Sequence, residues 1–154
     1  MRLERDVAFR LKTASEEEAR RLLASPERAL AQLPVFQDLR LEGAVLSGAL
    51  VAPFAMLGEV RFPFRARFTG GREEARLEPL PLPEPGDLHA ELEGEARREG
   101  AGVAYHARIV LHILLPEGEK WGGRAFKKMA EAAFARTLAR TLERLPDQVD
   151  ASAG

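Results

Sequence analysis

The sequence predicts an α+β domain: a seven-stranded, curved antiparallel sheet wrapped around one long C-terminal helix, in the order β-α-α-β6-α. Three observations carry this. Residues 3–11 alternate apolar and charged side chains, the period-two pattern of a half-buried strand. Between Val35 and Leu115 the chain repeats short strand-like runs separated by Gly- and Pro-bearing turns. Finally, Phe126, Ala130, Ala133, Phe134, Thr137, Leu138, Thr141 and Leu145 recur at helical spacing and form one broad apolar stripe. Only this last helix is long enough to cover the apolar face of such a sheet, which implies a two-layer domain. A long twisted antiparallel sheet curls, and a helix in its concavity leaves a cavity as the expected result.

Taken in order, Leu3, Val7, Phe9 and Leu11 point one way, and Glu4, Asp6, Arg10 and Lys12 the other. Ser15 with Glu18 forms a capping box that opens a short helix. Ser25 and Pro26 start a second helix as N-cap and first helical residue, which stops before Pro34. Strands are expected at 35–42, 44–52, 59–69, 73–80, 87–97 and 102–115. In "GEVRFPFRARF" (58–68) period two separates Val60, Phe62, Phe64, Ala66 and Phe68 from Arg61, Arg65 and Arg67. A nucleic-acid surface would need the aromatic and basic sets on one face. Pro63 has no N–H for a ladder, which predicts a bulge or an unpaired edge there.

Two hairpins fix a register. With Gly70-Gly71 as a two-residue loop, Arg67 faces Glu74 and Phe64 faces Leu77. With Glu99-Gly100 as the next, Glu91 faces Arg108, Glu93 faces His106, Leu92 meets Ala107, and Tyr105 covers Gly94. Charges then collect on one face and apolar groups on the other, as a correct register requires. The final helix runs over 123–145 and ends at Pro146. One domain is expected over 1–146, with a flexible tail at 147–154.

Composition narrows the function. In 154 residues, 23 Lys and Arg stand against 24 Asp and Glu, a net charge of −1, without the basic excess of a dedicated nucleic-acid binder. The chain contains no cysteine, so disulfides, thiolate nucleophiles and Cys-ligated zinc are excluded. With an N-terminus that lacks a signal-peptide core, this predicts a cytoplasmic protein. The longest uncharged stretch, 43–58, is too short to span a membrane.

The chemistry of catalysis is missing from the pattern. Ser15 and Ser25 are spoken for as caps, and Ser47 has no histidine partner in view. His106 and His112 are six residues apart on one strand, about 20 Å, too far for one ion; with His89 they fall on the outer face, so no metal site is expected. Glu91, Glu93 and Glu95 alternate onto the same solvated face. The sequence thus predicts no catalytic residues and no cofactor, and a protein that is not an enzyme.

The inner face carries more information. Phe62, Phe64, Phe68, Leu77, Leu92, Tyr105 and Ile109 from the sheet, with Phe126, Ala130, Phe134, Thr137 and Thr141 from the helix, are the candidate lining of a ligand cavity. Small residues at the helix centre, Ala130 and Ala133, leave room opposite the phenylalanines, and Tyr105, Thr137 and Thr141 offer a few hydroxyls, the usual make-up of a small-molecule site. The threonines have an equal claim on their own helix carbonyls. Phe54 and Met56 in "VAPFAMLGE" (51–59) form a lid, a membrane-touching tip or a buried link; Trp121 gates a pocket mouth or packs on Pro116.

The order and lengths of the elements resemble the helix-grip fold of the START/birch-pollen-allergen (SRPBCC) superfamily over residues 3–145. Within it they look most like the group of the G-type subunit of carbon monoxide dehydrogenase, through "LPVFQDLRLEG", "GEVRFPFRARF", "DLHAELEGEARREGAGVAYHARIVLHI" and "AFKKMAEAAFARTLARTLERL". The resemblance implies a pocket for an apolar small molecule such as a lipid or quinone, and carries no fixed catalytic residues onto this sequence. The expected function is binding or transfer of such a molecule. The alternatives are an accessory protein acting through transient membrane or partner contact, and a cyclase- or hydratase-type enzyme. No nucleic-acid partner is expected, and the sequence leaves the oligomeric state open.

Overall fold

The computed structural model describes residues 1–54, 58–114 and 124–143, with Phe54 and residues 141–143 described by their backbone alone. Strands β1 (Arg2–Lys12), β2 (Phe36–Glu42), β3 (Val45–Phe54), β4 (Gly58–Gly70), β5 (Glu74–Leu80), β6 (Leu88–Glu99) and β7 (Gly102–Ile113) form one antiparallel sheet in the order β1-β7-β6-β5-β4-β3-β2. Helices α1 (Glu16–Leu23) and α2 (Pro26–Leu30) connect β1 to β2, and α3 (Arg124–Glu143) follows β7. The chain is a helix-grip α+β domain.

Local chemistry explains the helix starts. The Ser15 hydroxyl accepts from the Glu18 N–H at 3.1 Å, while the Glu18 carboxylate accepts from the Ala14 N–H at 3.2 Å, so the capping box closes one residue early. Ser25 occupies the N-cap of α2 with Pro26 behind it, but its hydroxyl makes no capping bond.

Both hairpin registers differ from the expected ones by an even step. Phe68 faces Leu77 and Arg67 faces Glu78, so the β4–β5 loop is 71–73. Glu93 faces Arg108, Leu92 faces Ile109 and Ala96 faces Tyr105, so the β6–β7 loop is Gly100-Ala101. Gly100 has φ +61°, which glycine adopts at little cost at the first position of a two-residue hairpin loop. An even slip returns every side chain to its own face, so the sorting of charge from apolar residues survives it.

At Pro63 there is no bulge: it sits in regular register opposite Ala49. β5 pairing begins only at Arg65, so Pro63 has no ladder partner on that side, which is how its missing N–H is accommodated. The bulge lies in β2 instead, between Gln37 and Arg40. There Asp38 takes φ +54°, a conformation Asp tolerates better than most residues, and its carboxylate meets Arg61. Leu39 fills the space a side chain at Gly48 would need; a Cβ there would stand 2.8 Å from the Leu39 Cδ2.

The main core joins β1, α2, β2–β4, β6, β7 and α3. Phe62 and Phe134 are fully buried, and Phe36 meets Phe64 edge-on at 6.0 Å. A smaller cluster, Ala19, Leu23, Ala75, Ala96 and Val103, fixes α1 to the strand ends. Arg61, Arg65 and Arg67 lie on the opposite face from Phe62 and Phe64, as period two requires.

Candidate ligand cavity

A gap of about 30 Å³ lies at the seam between the two core clusters, enough for about one water molecule. Phe68 (β4), Leu77 (β5), Leu92 (β6) and Tyr105 (β7) line it from the sheet, and Leu23, Pro26 and Leu30 close it from α1 and α2. A second gap of about 10 Å³ lies under α2 and α3, against Val7, Phe9, Leu33, Ile109 and Leu138. Phe9, Leu30 and Ala107 border both.

Tyr105 is the polar exception on this wall. Its ring stacks on Phe9 at 4.9 Å with an interplanar angle of 11°. Its hydroxyl is buried and has no hydrogen-bond partner among the described residues. Burial alone pushes its pKa well above the ordinary tyrosine range, because the phenolate would be stranded in an apolar site. The group here is a neutral O–H with an unused donor and acceptor.

Of the residues expected to line a cavity, Phe68, Leu77, Leu92 and Tyr105 border the larger gap and Ile109 the smaller. Phe62, Phe64, Ala130 and Phe134 are packed into the main core, and the larger of these two gaps among the described residues lies under the α1–α2 elbow. Phe126 is half-buried on α3. The Thr137 hydroxyl donates to the Ala133 carbonyl at 3.0 Å. Thr141 lies in α3, but its side chain, like that of Phe54 at the end of β3, is outside the described residues, as are Met56 and Trp121 altogether. Phe9, Leu23, Pro26 and Leu30 also border the gaps and are not among the residues expected there. Their buried positions were legible, but periodicity assigns a residue to a face without naming the element opposite.

An ionic clasp ties α1 to the β4–β5 loop and to β6. Glu73 accepts from Arg98 Nε at 2.6 Å and from Arg20 Nη2 at 3.2 Å, and Arg98 also stands 3.8 Å from Glu16. The hydrogen bond from Arg98, the largest influence, holds the Glu73 carboxyl below its usual pKa. A depressed carboxylate adds stability that is present above its unfolded-state pKa and fades as pH falls through the folded-state value. Glu73→Gln is therefore expected to lower the urea midpoint slightly at neutral pH, the clasp being solvent-exposed, and the difference from wild type is expected to vanish in acid.

On the outer face His89 and His112 stack at 4.5 Å, and His112 Nε2 lies 2.6 Å from Glu91. Among the described residues no group of three or more His, Asp or Glu is arranged to hold a metal ion, and no helix is long and apolar enough to cross a membrane.

Comparison with known proteins gives a family and a fold. The sequence profile of a family described as "Protein of unknown function (DUF3809)" matches residues 8–143; the G-type subunit of carbon monoxide dehydrogenase is not the family that matches. No curated protein matches. The crystal structure of TTHA0849 from Thermus thermophilus superposes with a TM-score of 0.55 at 21% identity, covering 100% of both chains. The aromatase/cyclase Zhui from Streptomyces sp. R1128 gives 0.49 at 14% identity, covering 100% of this chain and 98% of its own. A STAR-related lipid transfer protein from Xanthomonas axonopodis gives 0.48 at 16% identity, covering 92% of this chain and 82% of its own. The first is a likeness of fold; the other two carry no argument about this chain.

Proposed function

This chain belongs to the family of proteins of unknown function called DUF3809, and we propose that it binds, without catalysis, an apolar small molecule between the sheet and its covering helices. The observation that carries the reading is the Tyr105 hydroxyl, buried without a partner among the described residues and beside an apolar gap. A buried polar group left unpaired costs about 1–3 kcal/mol, and a ligand oxygen or nitrogen entering the gap removes that cost. Drug-sized ligands need about 300–1,000 Å³, so binding requires side chains to move apart. The elements best placed to do so are α1 and α2, which are short and sit at the seam of two clusters.

Native mass spectrometry of the folded protein, followed by organic extraction, tests this. The expected result is an apolar adduct that solvent removes and that raises the thermal midpoint when added back. No adduct, together with no stabilisation by any member of a panel of apolar acids, alcohols and quinones, overturns the reading. Tyr105→Phe separates the hydroxyl from the cavity. In ligand-free protein it is expected to raise stability by about 1 kcal/mol, read from urea unfolding, while weakening any ligand that offers a hydrogen-bonding atom.

A further inference from the structure

Arg5 stands out from the alternation of β1. The β1–β7 register runs without a break from Leu3↔Leu111 through Arg5↔Ile109 to Leu11↔Val103, so Arg5 shares the inner face with Leu3, Val7, Phe9 and Leu11. Those four are buried, and Arg5 is half-buried among them. Its neighbours in sequence, Glu4 and Asp6, point to the outer face, where Glu4 meets Arg2 and Arg108 and Asp6 approaches His106. Arg10 and Arg98 likewise have carboxylate partners. Arg5 has no ion pair or hydrogen bond with a partner among the described residues.

We propose that the ligand is an apolar molecule ending in an anionic group, and that Arg5 holds that group. The inference rests on the binding reading above. Val7 and Ile109, the residues beside and opposite Arg5, line the smaller gap. That gap shares Phe9, Leu30 and Ala107 with the larger one, so displacement of Phe9 or Leu30 joins the two. Tyr105 is opposite Phe9, four residues along the strand from the level of Arg5, about 13 Å. The joined space thus has a fixed cation at one end, a neutral hydroxyl at the other, and an apolar wall between. A guanidinium is permanently charged, and its planar fork matches a carboxylate with two parallel hydrogen bonds. A cation held beside an apolar wall without a counter-charge is unfavourable, and an anionic headgroup supplies the counter-charge.

Displacement of Nile red from the full chain by decanoate and by 1-decanol, molecules of equal length that differ in headgroup, tests the assignment. In wild type, decanoate is expected to displace the probe at a concentration about tenfold lower than decanol, the scale of one charge-assisted hydrogen bond. Arg5→Gln is expected to erase the difference by weakening decanoate alone, and Arg5→Lys to restore part of it. Equal potency in wild type, or a decanoate preference that persists in Arg5→Gln with Arg5→Lys folded and unchanged, overturns the role of Arg5 while leaving apolar binding intact. Failure of Nile red to bind, or of both molecules to displace it, overturns the binding reading and this inference with it.

Discussion

Phe134→Ala is expected to destabilise the fold by about 3–5 kcal/mol. Phe134 is fully buried, at the centre of the line Ala130, Phe134 and Leu138 on α3. Those three are the buried residues of α3 among its described side chains, so the middle one carries much of the helix's attachment to the sheet. Its removal costs the transfer energy of the ring and leaves a cavity among side chains held by a seven-stranded sheet, which has little freedom to collapse. Urea unfolding should show a lower midpoint at an unchanged slope. Met129→Ala, on the same helix and 52% exposed, serves as the control and is expected to change stability by no more than about 0.5 kcal/mol. A loss below about 1 kcal/mol for Phe134→Ala would mean that α3 is not packed on the sheet as described.

Ala96→Leu is expected to close the binding space with only a modest effect on the fold. Ala96 is buried at the seam, opposite Tyr105, and lines the larger gap. Three added carbons enter space that is partly empty, so the usual overpacking cost of about 1–3 kcal/mol should fall at its lower end. The same carbons occupy the position an apolar ligand must take beside Tyr105. Affinity for Nile red or for any apolar ligand identified by extraction is expected to fall by at least about tenfold, the loss of about 1.4 kcal/mol or more of contact. Undiminished binding by a folded Ala96→Leu protein would place the ligand elsewhere.

The elements and their faces were legible in the sequence because they depend on local periodicity. Leu3 to Leu11, Val60 to Phe68 and Ala130 to Leu138 each announce a buried face without reference to the rest of the chain. What was not legible is which residues meet across elements. Sorting charge from apolar groups fixes a hairpin register only to within an even slip, which is the kind found at both Gly70-Gly71 and Glu99-Gly100. The Phe9–Tyr105 stack depends on β1 and β7 being neighbours, although they are the first and last strands of the sheet in chain order. The bulge at Asp38 has no pattern of its own; it lies beside Leu39, whose side chain packs over Gly48. Arg5 was hidden by its neighbours: in a run of alternating charges, one charge on the apolar parity reads as noise until the register with Ile109 is known. Among the described residues the candidate lining and the borders of the two gaps share Phe68, Leu77, Leu92, Tyr105 and Ile109.

The central claim, that an apolar ligand enters between the sheet and the α1–α2 elbow, is tested most directly by methyl NMR of the full chain titrated with decanoate. The expected result is saturable shifts of the Leu23, Leu30, Leu77 and Leu92 methyl groups, which surround the larger gap, while Val110, which pairs with Glu4 and Glu91 on the far side of the sheet, stays in place. Saturable shifts confined to Val110 and the outer face, or no shift of the four leucines up to the solubility limit of the acid, would contradict it.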